Sequence, residues 1–289
     1  MPADDLLKIG GGPIEVELLP AVGARLHRLR AFGHDILRTP DDPAEHRRDP
    51  FAWGAYVMAP WCNRIATGPT QVGDRTVDLP PNFPDGSAIH GQVSDVPWGQ
   101  RADGLLAVRG GGDGWPWRYE TTIRVTVHGS TLLIRQSLTN RSDGPMPGGL
   151  GLHPWFRRPL EVRLHASQVL RSNLDPAAML EPISERWDLR QMQPIPDDLD
   201  GSWGRLGHPA VELRWPEVRV RAALRVRSDA GMWIAVASPP DLDGVAIEPQ
   251  THLPQGLRRY LASKPGRLHP MAPGATITLT TELAFHEER

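Results

Sequence analysis

The chain has 289 residues, a formal net charge of −2 and a pI near 6.6. That balance offers no basic field to nucleic acid or an anionic membrane, and no apolar run is long enough to span a bilayer. The single cysteine, Cys62, excludes an internal disulfide and fits a reducing cytoplasm, as does the acidic start Met1-Pro2-Ala3-Asp4-Asp5, which lacks signal-peptide order.

Residues 13–19 alternate, with Ile14, Val16 and Leu18 on one side. Residues 119–127 alternate through Thr121, Ile123, Val125 and Val127. His128-Gly129-Ser130 then supplies a turn, and Leu132, Ile134, Gln136 and Leu138 alternate back, which predicts a hairpin. Residues 171–207 are rich in Pro and Asp and read as long loops over the domain. Val218, Val220, Ala222, Leu224 and Val226 alternate mainly with arginines, as a half-exposed strand does. Val245-Ala246-Ile247 reads as a buried strand ending on Glu248, and Pro249, with no N–H to donate, is expected to end its pairing. Ile277, Leu279, Thr281, Leu283 and Phe285 close the chain by the same alternation. No long segment has a helical period. These patterns predict an all-β protein, a large antiparallel β-sandwich, with residues 1–289 as one domain.

Five polar positions could carry chemistry. A carboxylate at the end of an apolar strand, Glu248, needs either solvent or a partner. Arg64, beside Asn63 and before a glycine turn, could tie down a loop carbonyl or donate its fork to two ligand oxygens. His90 precedes Gly91, which lets backbone approach closely. His153, held by Pro154, is either a core histidine bonded to a carbonyl or an imidazole aimed into a cleft. Asp200, in Asp200-Gly201-Ser202-Trp203, is either a turn former in a loop or a hydroxyl ligand beside an aromatic wall. Cys62 reads as a small buried filler.

Asn63-Arg64-Ile65, His90-Gly91, His153-Pro154-Trp155-Phe156 and Glu248-Pro249-Gln250-Thr251 stand in the order and approximate spacing of the aldose 1-epimerase (galactose mutarotase) family. The chain resembles that family from about residue 12 to about residue 285. The resemblance implies the galactose mutarotase-like supersandwich fold, no cofactor or metal, and interconversion of the α and β anomers of a sugar. Glu248 resembles the general base and His153 the general acid. Arg64 and His90 resemble the ligands of ring and hydroxyl oxygens, with Asn63 beside them, and Asp200 matches an Asp-x-x-aromatic hydroxyl ligand. Gln92 stands where many members have a second glycine, and Trp155 where many have Tyr; both bear on which sugar is bound. The ten tryptophans are expected to fill the core and to offer flat walls to sugar rings.

Opening a hemiacetal removes a proton from the C1 hydroxyl while the ring oxygen gains one, which is expected to need a base and an acid on opposite sides of one small space. An ionised Glu248 and a protonated His153 are expected near neutral pH. Arg64 and His90 would stabilise charge on the sugar oxygens. Three other readings compete. His90, His153 and Glu248 could form a two-His, one-carboxylate metal site, although close His-x-His spacing is missing. The chain could be a carbohydrate-binding module without turnover. Glu248 and Asp200 could act as a glycosidase pair, although no spacing joins them.

Overall fold

The computed structural model describes residues 6–172, 175 and 178–288. The strands that build the site and its support are β1 (Ile14–Leu19), β2 (Arg25–Ala31), β3 (Ala55–Met58), β4 (Arg64–Ile65), β5 (Ala88–Ile89), β6 (Trp115–His128), β7 (Thr131–Asn140), β8 (Gly151–Phe156), β9 (Asp200–Gly204), β10 (Val220–Ser228), β11 (Trp233–Ala237), β12 (Val245–Gln250) and β13 (Thr276–Glu287). Among the described residues, one antiparallel sheet has eleven strands and a second has nine. The first runs β1, β2, β3, β8, β12, β11, β9 through its centre, and the second runs β6, β7, β13, β10. Among the described residues α-helix is confined to two short segments, Glu45–Arg48 and Gly256–Leu261, as the lack of a helical period predicts. Among the described residues no helix is long and apolar enough to cross a membrane.

Alternation sends every second side chain into the space between the sheets. Val57, Leu152, Phe156, Ile234, Val236, Val245 and Ile247 come from the first sheet. They pack in one cluster with Ile123, Ile134, Leu138, Leu224, Leu279 and Phe285 from the second. Each such side chain contributes roughly 1.5–3 kcal/mol of transfer free energy. The predicted hairpin is β6 and β7, in register from Tyr119↔Asn140 to His128↔Thr131. The half-exposed strand starts at Val220 instead of Val218, because residues Pro216–Val218 form a single 3-10 turn and Arg219 is left-handed, with φ of +55°. Trp61, Trp115, Trp117 and Trp203 are fully buried and fill the core.

Two expectations are corrected. Asp200-Gly201-Ser202-Trp203 is not loop but β9, paired to β11 through Asp200↔Ala237 and Ser202↔Ala235. A glycine and two polar residues hide its period of two. Trp203 enters the core, on the opposite face from Asp200, and cannot be its stacking partner. Nor does Pro249 end β12, which continues to Gln250 through Ile234↔Pro249 and Trp233↔Gln250. The proline carbonyl can still accept, and the gap falls on the other edge, where bridges to β8 stop between Gly151↔Gln250 and Trp155↔Ala246. Pro154 and Pro249 both lie in that interval, and neither has an N–H to donate. His153 and Glu248 face each other at its centre.

Candidate active site

Sheet register lines the reactive groups up in a row. His153 on β8 pairs with Tyr56 on β3, and the β8–β12 register sets His153 opposite Glu248. Neighbouring strands lie ~4.8 Å apart, so side chains of one row meet. Val245 and Ile247 enter the inter-sheet core, while Ala246 and Glu248 face the other side. There a second small apolar cluster (Tyr56, Met58, Cys62, Trp155 and Ala246) underlies a cavity of about 500 Å³. A volume of that size suits a small molecule.

His153 Nε2 lies 3.2 Å from Glu248 Oε1, and the second carboxyl oxygen accepts from Gln250 Nε2 at 2.6 Å. Both members of the pair are buried. Burial pushes the Glu248 carboxyl up from 4.5 to about 8; the Gln250 hydrogen bond opposes this, nearby Asp200 adds to it, and Arg64 opposes it. Burial also pushes His153 down from 6.5 to about 3, helped by the charge of Arg25. Burial thus disfavours charge on both partners and favours the neutral carboxyl, carrying the pair's proton, beside a neutral imidazole. The expected ionised Glu248 and protonated His153 is the other distribution of that proton across the 3.2 Å contact, and burial works against it.

The β4–β5 ribbon, paired Arg64↔Ile89 and Ile65↔Ala88, brings the second group. Asn63 and His90 at its mouth have φ of +52° and +62°, a left-handed backbone that is costly for residues with a Cβ. They hold each other reciprocally: the His90 amide donates to the Asn63 carbonyl at 3.2 Å, and the Asn63 amide donates to His90 Nδ1 at 3.2 Å. With Nδ1 accepting, the hydrogen of the neutral ring is on Nε2. Burial holds His90 well below its ordinary value, and His153 and Arg64 push the same way, so it is a neutral donor. Gly91 then has φ of +79°, and a Cβ there would stand 1.9 Å from the Ala59 carbonyl oxygen, so only glycine fits.

Arg64 Nε donates to Asp85 Oδ2 at 2.8 Å, and its Nη1 lies 3.8 Å from Asp200 Oδ2. Asn63 Oδ1 accepts from the Arg64 amide at 2.9 Å. Asn63, Arg64, His90, His153, Asp200 and Glu248 thus line one cavity, together with Trp155 and Phe51.

The sequence profile described as aldose 1-epimerase matches residues 14–250. The chain belongs to the aldose 1-epimerase family. Its fold is similar to that of a galactose mutarotase-like protein from Clostridium acetobutylicum, with a TM-score of 0.81, 17% identity, and coverage of 98% of this chain and 95% of that one. It is also similar to a galactose 1-epimerase from Lactobacillus acidophilus NCFM, with a TM-score of 0.77, 17% identity, and coverage of 100% and 97%. At these identities the likeness establishes the galactose mutarotase-like all-β fold. No curated protein sequence matches the chain. Family membership supports a sugar epimerase or mutarotase, an isomerase with a small-molecule sugar as substrate.

The metal reading can be tested on the donor set. Ligand atoms of His90, His153 and Glu248 lie within 4.8 Å of one another. A ligating imidazole presents its other nitrogen as an N–H to an acceptor. Here the other nitrogen of His90 faces the Asn63 N–H, so metallation through Nε2 would set two donors against each other. These residues do not fit a metal.

Sequence reasoning missed Tyr56, stacked on His153 at 4.5 Å with planes 15° apart, and Phe51, Phe83 and Asp85 around the cavity mouth. A period of two counted from Glu248 finds Gln250. Phe51, Phe83 and Asp85 lie outside named strands and have no local signature. His252, three residues beyond Pro249, is structural: its Nε2 accepts from the Cys62 amide at 2.8 Å, and its Nδ1–H donates to the Leu253 carbonyl at 2.7 Å. It pins the chain leading to Asn63.

Proposed function

We propose that this chain is an aldose 1-epimerase that interconverts the α and β anomers of a free, uncharged aldose, with residues 1–289 acting as one domain. The observation that carries the reading is the 3.2 Å contact between His153 Nε2 and Glu248 Oε1 at the floor of the cavity. O1 and O5 of a pyranose are both bonded to C1, one bond angle apart, so a closely spaced pair can serve both without moving. Sugar binding and Arg64 favour the carboxylate form, which shifts the shared proton to His153. Glu248 then takes the proton of the C1 hydroxyl while His153 gives its proton to O5. The C1–O5 bond breaks, C1 becomes an aldehyde, the C1–C2 bond turns, and O5 closes on the other face as the protons return. One proton is taken and one is given, so the pair ends as it began. Asn63, Arg64, His90 and Asp200 hold the ring and hydroxyl oxygens.

Charge supports an uncharged substrate. Asp49, Asp198 and Asp200 line the cavity, beside a Glu248 carboxyl that burial keeps neutral, against Arg64 as the one arginine among its described lining residues, and Arg64 is already engaged by Asp85 and Asp200. Saturation-transfer NMR of anomer exchange on galactose, glucose and their 6-phosphates tests the proposal. Exchange above the water rate is expected for at least one free sugar. A folded protein without any such exchange is instead the binding module.

A further inference from the structure

Arg25 is a buried cation that the proton transfers do not use. It lies fully buried on β2. β2 pairs with β3 through Leu26↔Ala55, and that register sets Arg25 opposite Tyr56. One row therefore runs Arg25, Tyr56, His153, Glu248 across four adjacent strands. Because β3 lies between β2 and β8, Arg25 and His153 approach Tyr56 from opposite sides. The guanidinium carbon is 5.3 Å from the ring centroid, and the imidazole centroid is 4.5 Å from it. The fork of Arg25 is fully fixed. Nε donates to the Val22 carbonyl at 3.2 Å, Nη2 to the Ser94 carbonyl at 2.6 Å, and Nη1 to His46 Nδ1 at 3.1 Å. Arginine has donors only, so His46 Nδ1 accepts, and His46 Nε2–H then donates to His27 Nδ1 at 3.0 Å. None of these partners is a carboxylate. A buried cation with no counter-ion in contact is costly, and an apolar side chain would fill the space at lower cost.

We infer that Arg25 is a positioning residue for the proposed epimerase reaction: held by Val22, Ser94 and His46, it clamps one side of Tyr56 so that the ring keeps His153 flat and within reach of Glu248. The inference rests on the acid–base reading of that pair. Its electrostatic consequence concerns His153. The groups facing that imidazole are Tyr56, Glu248, His90 and Trp155. Arg25 lies behind Tyr56 and disfavours a second positive charge, adding to burial.

The test compares wild type with Arg25→Met, Arg25→Lys and Tyr56→Leu. Anomer exchange is followed against pH, and the His153 ring is titrated by heteronuclear NMR without sugar. Arg25→Met is expected to lower kcat about 10- to 100-fold with KM nearly unchanged. It is also expected to raise the His153 midpoint by about one pH unit. Arg25→Lys, which keeps the charge, is expected to restore the midpoint. Tyr56→Leu keeps the cation and removes the ring, so it is expected to lower kcat alike, and it decides the matter if Arg25→Met does not fold. Wild-type kcat in folded Arg25→Met or Tyr56→Leu overturns the inference, as does a change confined to KM or an unmoved His153 midpoint in Arg25→Met. If wild type exchanges no anomers, the enzymatic reading fails, while the titration still reports whether Arg25 acts on His153.

Discussion

Burial disfavours charge on both Glu248 and His153: it pushes the carboxyl up to about 8 and the imidazole down to about 3. The pH profile of kcat/KM is expected to hold a plateau between those limits and to fall outside both. An alkaline limb near 6.5, the ordinary histidine value, would show that His153 titrates alone. Glu248→Gln keeps an oxygen for Gln250 and an N–H for His153 but has no basic form. Anomer exchange should drop by ~10²- to 10⁴-fold with sugar affinity retained. The same variant has a stability signature. The folded carboxyl keeps its proton up to about 8, whereas in the unfolded chain it loses it near 4.5. Unfolding thus releases a proton in that window. The stabilising contribution is fully present below 4.5 and is lost as pH rises through about 8. Gln has no such loss, so the melting temperature of Glu248→Gln relative to wild type should climb across the window. A constant difference would contradict the raised carboxyl.

At the scale of elements, the β4–β5 ribbon decides what His90 can do. It turns His90 Nδ1 onto the Asn63 amide and so leaves the ring hydrogen on Nε2, the donor that the proposal assigns to a sugar oxygen. Turnover is therefore expected to survive exhaustive EDTA treatment. Reversible loss, restored by one equivalent of a divalent metal, would replace the acid–base reading. Gly91 holds the ribbon against the Ala59 carbonyl, and Gly91→Ala places a Cβ where no atom fits. Stability should fall by about 1–3 kcal/mol in urea, with KM raised as His90 and Arg64 shift. A variant with wild-type midpoint and KM would show that the ribbon does not position the ligands.

For the molecule as a whole, the field of the cavity is set by acids gathered from distant segments: Asp49, Asp198 and Asp200. A phosphate dianion would enter against them. A hexose 6-phosphate is expected to show kcat/KM about 100-fold below that of the free sugar. Equal values in the same exchange assay would remove the uncharged-substrate proposal.

Much was legible in the chain itself, because backbone alternation has a period that survives without coordinates. Residues 119–138 and 277–285 announce strands of a sandwich, and Val245, Ala246 and Ile247 announce a buried strand before Glu248. The motif residues Asn63, Arg64, His90, His153, Asp200 and Glu248 could also be named from their neighbours and from the family resemblance. Other features needed the fold. Asp200 lies in a strand that a glycine and polar side chains conceal. Trp203 faces away from Asp200 because successive strand residues point to opposite sides. Tyr56 and Arg25 join His153 only through register between strands far apart in sequence. The resting position of the proton could not be read locally either, since it depends on how completely Glu248 and His153 are removed from water. Local pattern is written in one dimension and is set by the sequence alone; cross-strand neighbours, burial and charge are sums over residues that only tertiary packing brings together.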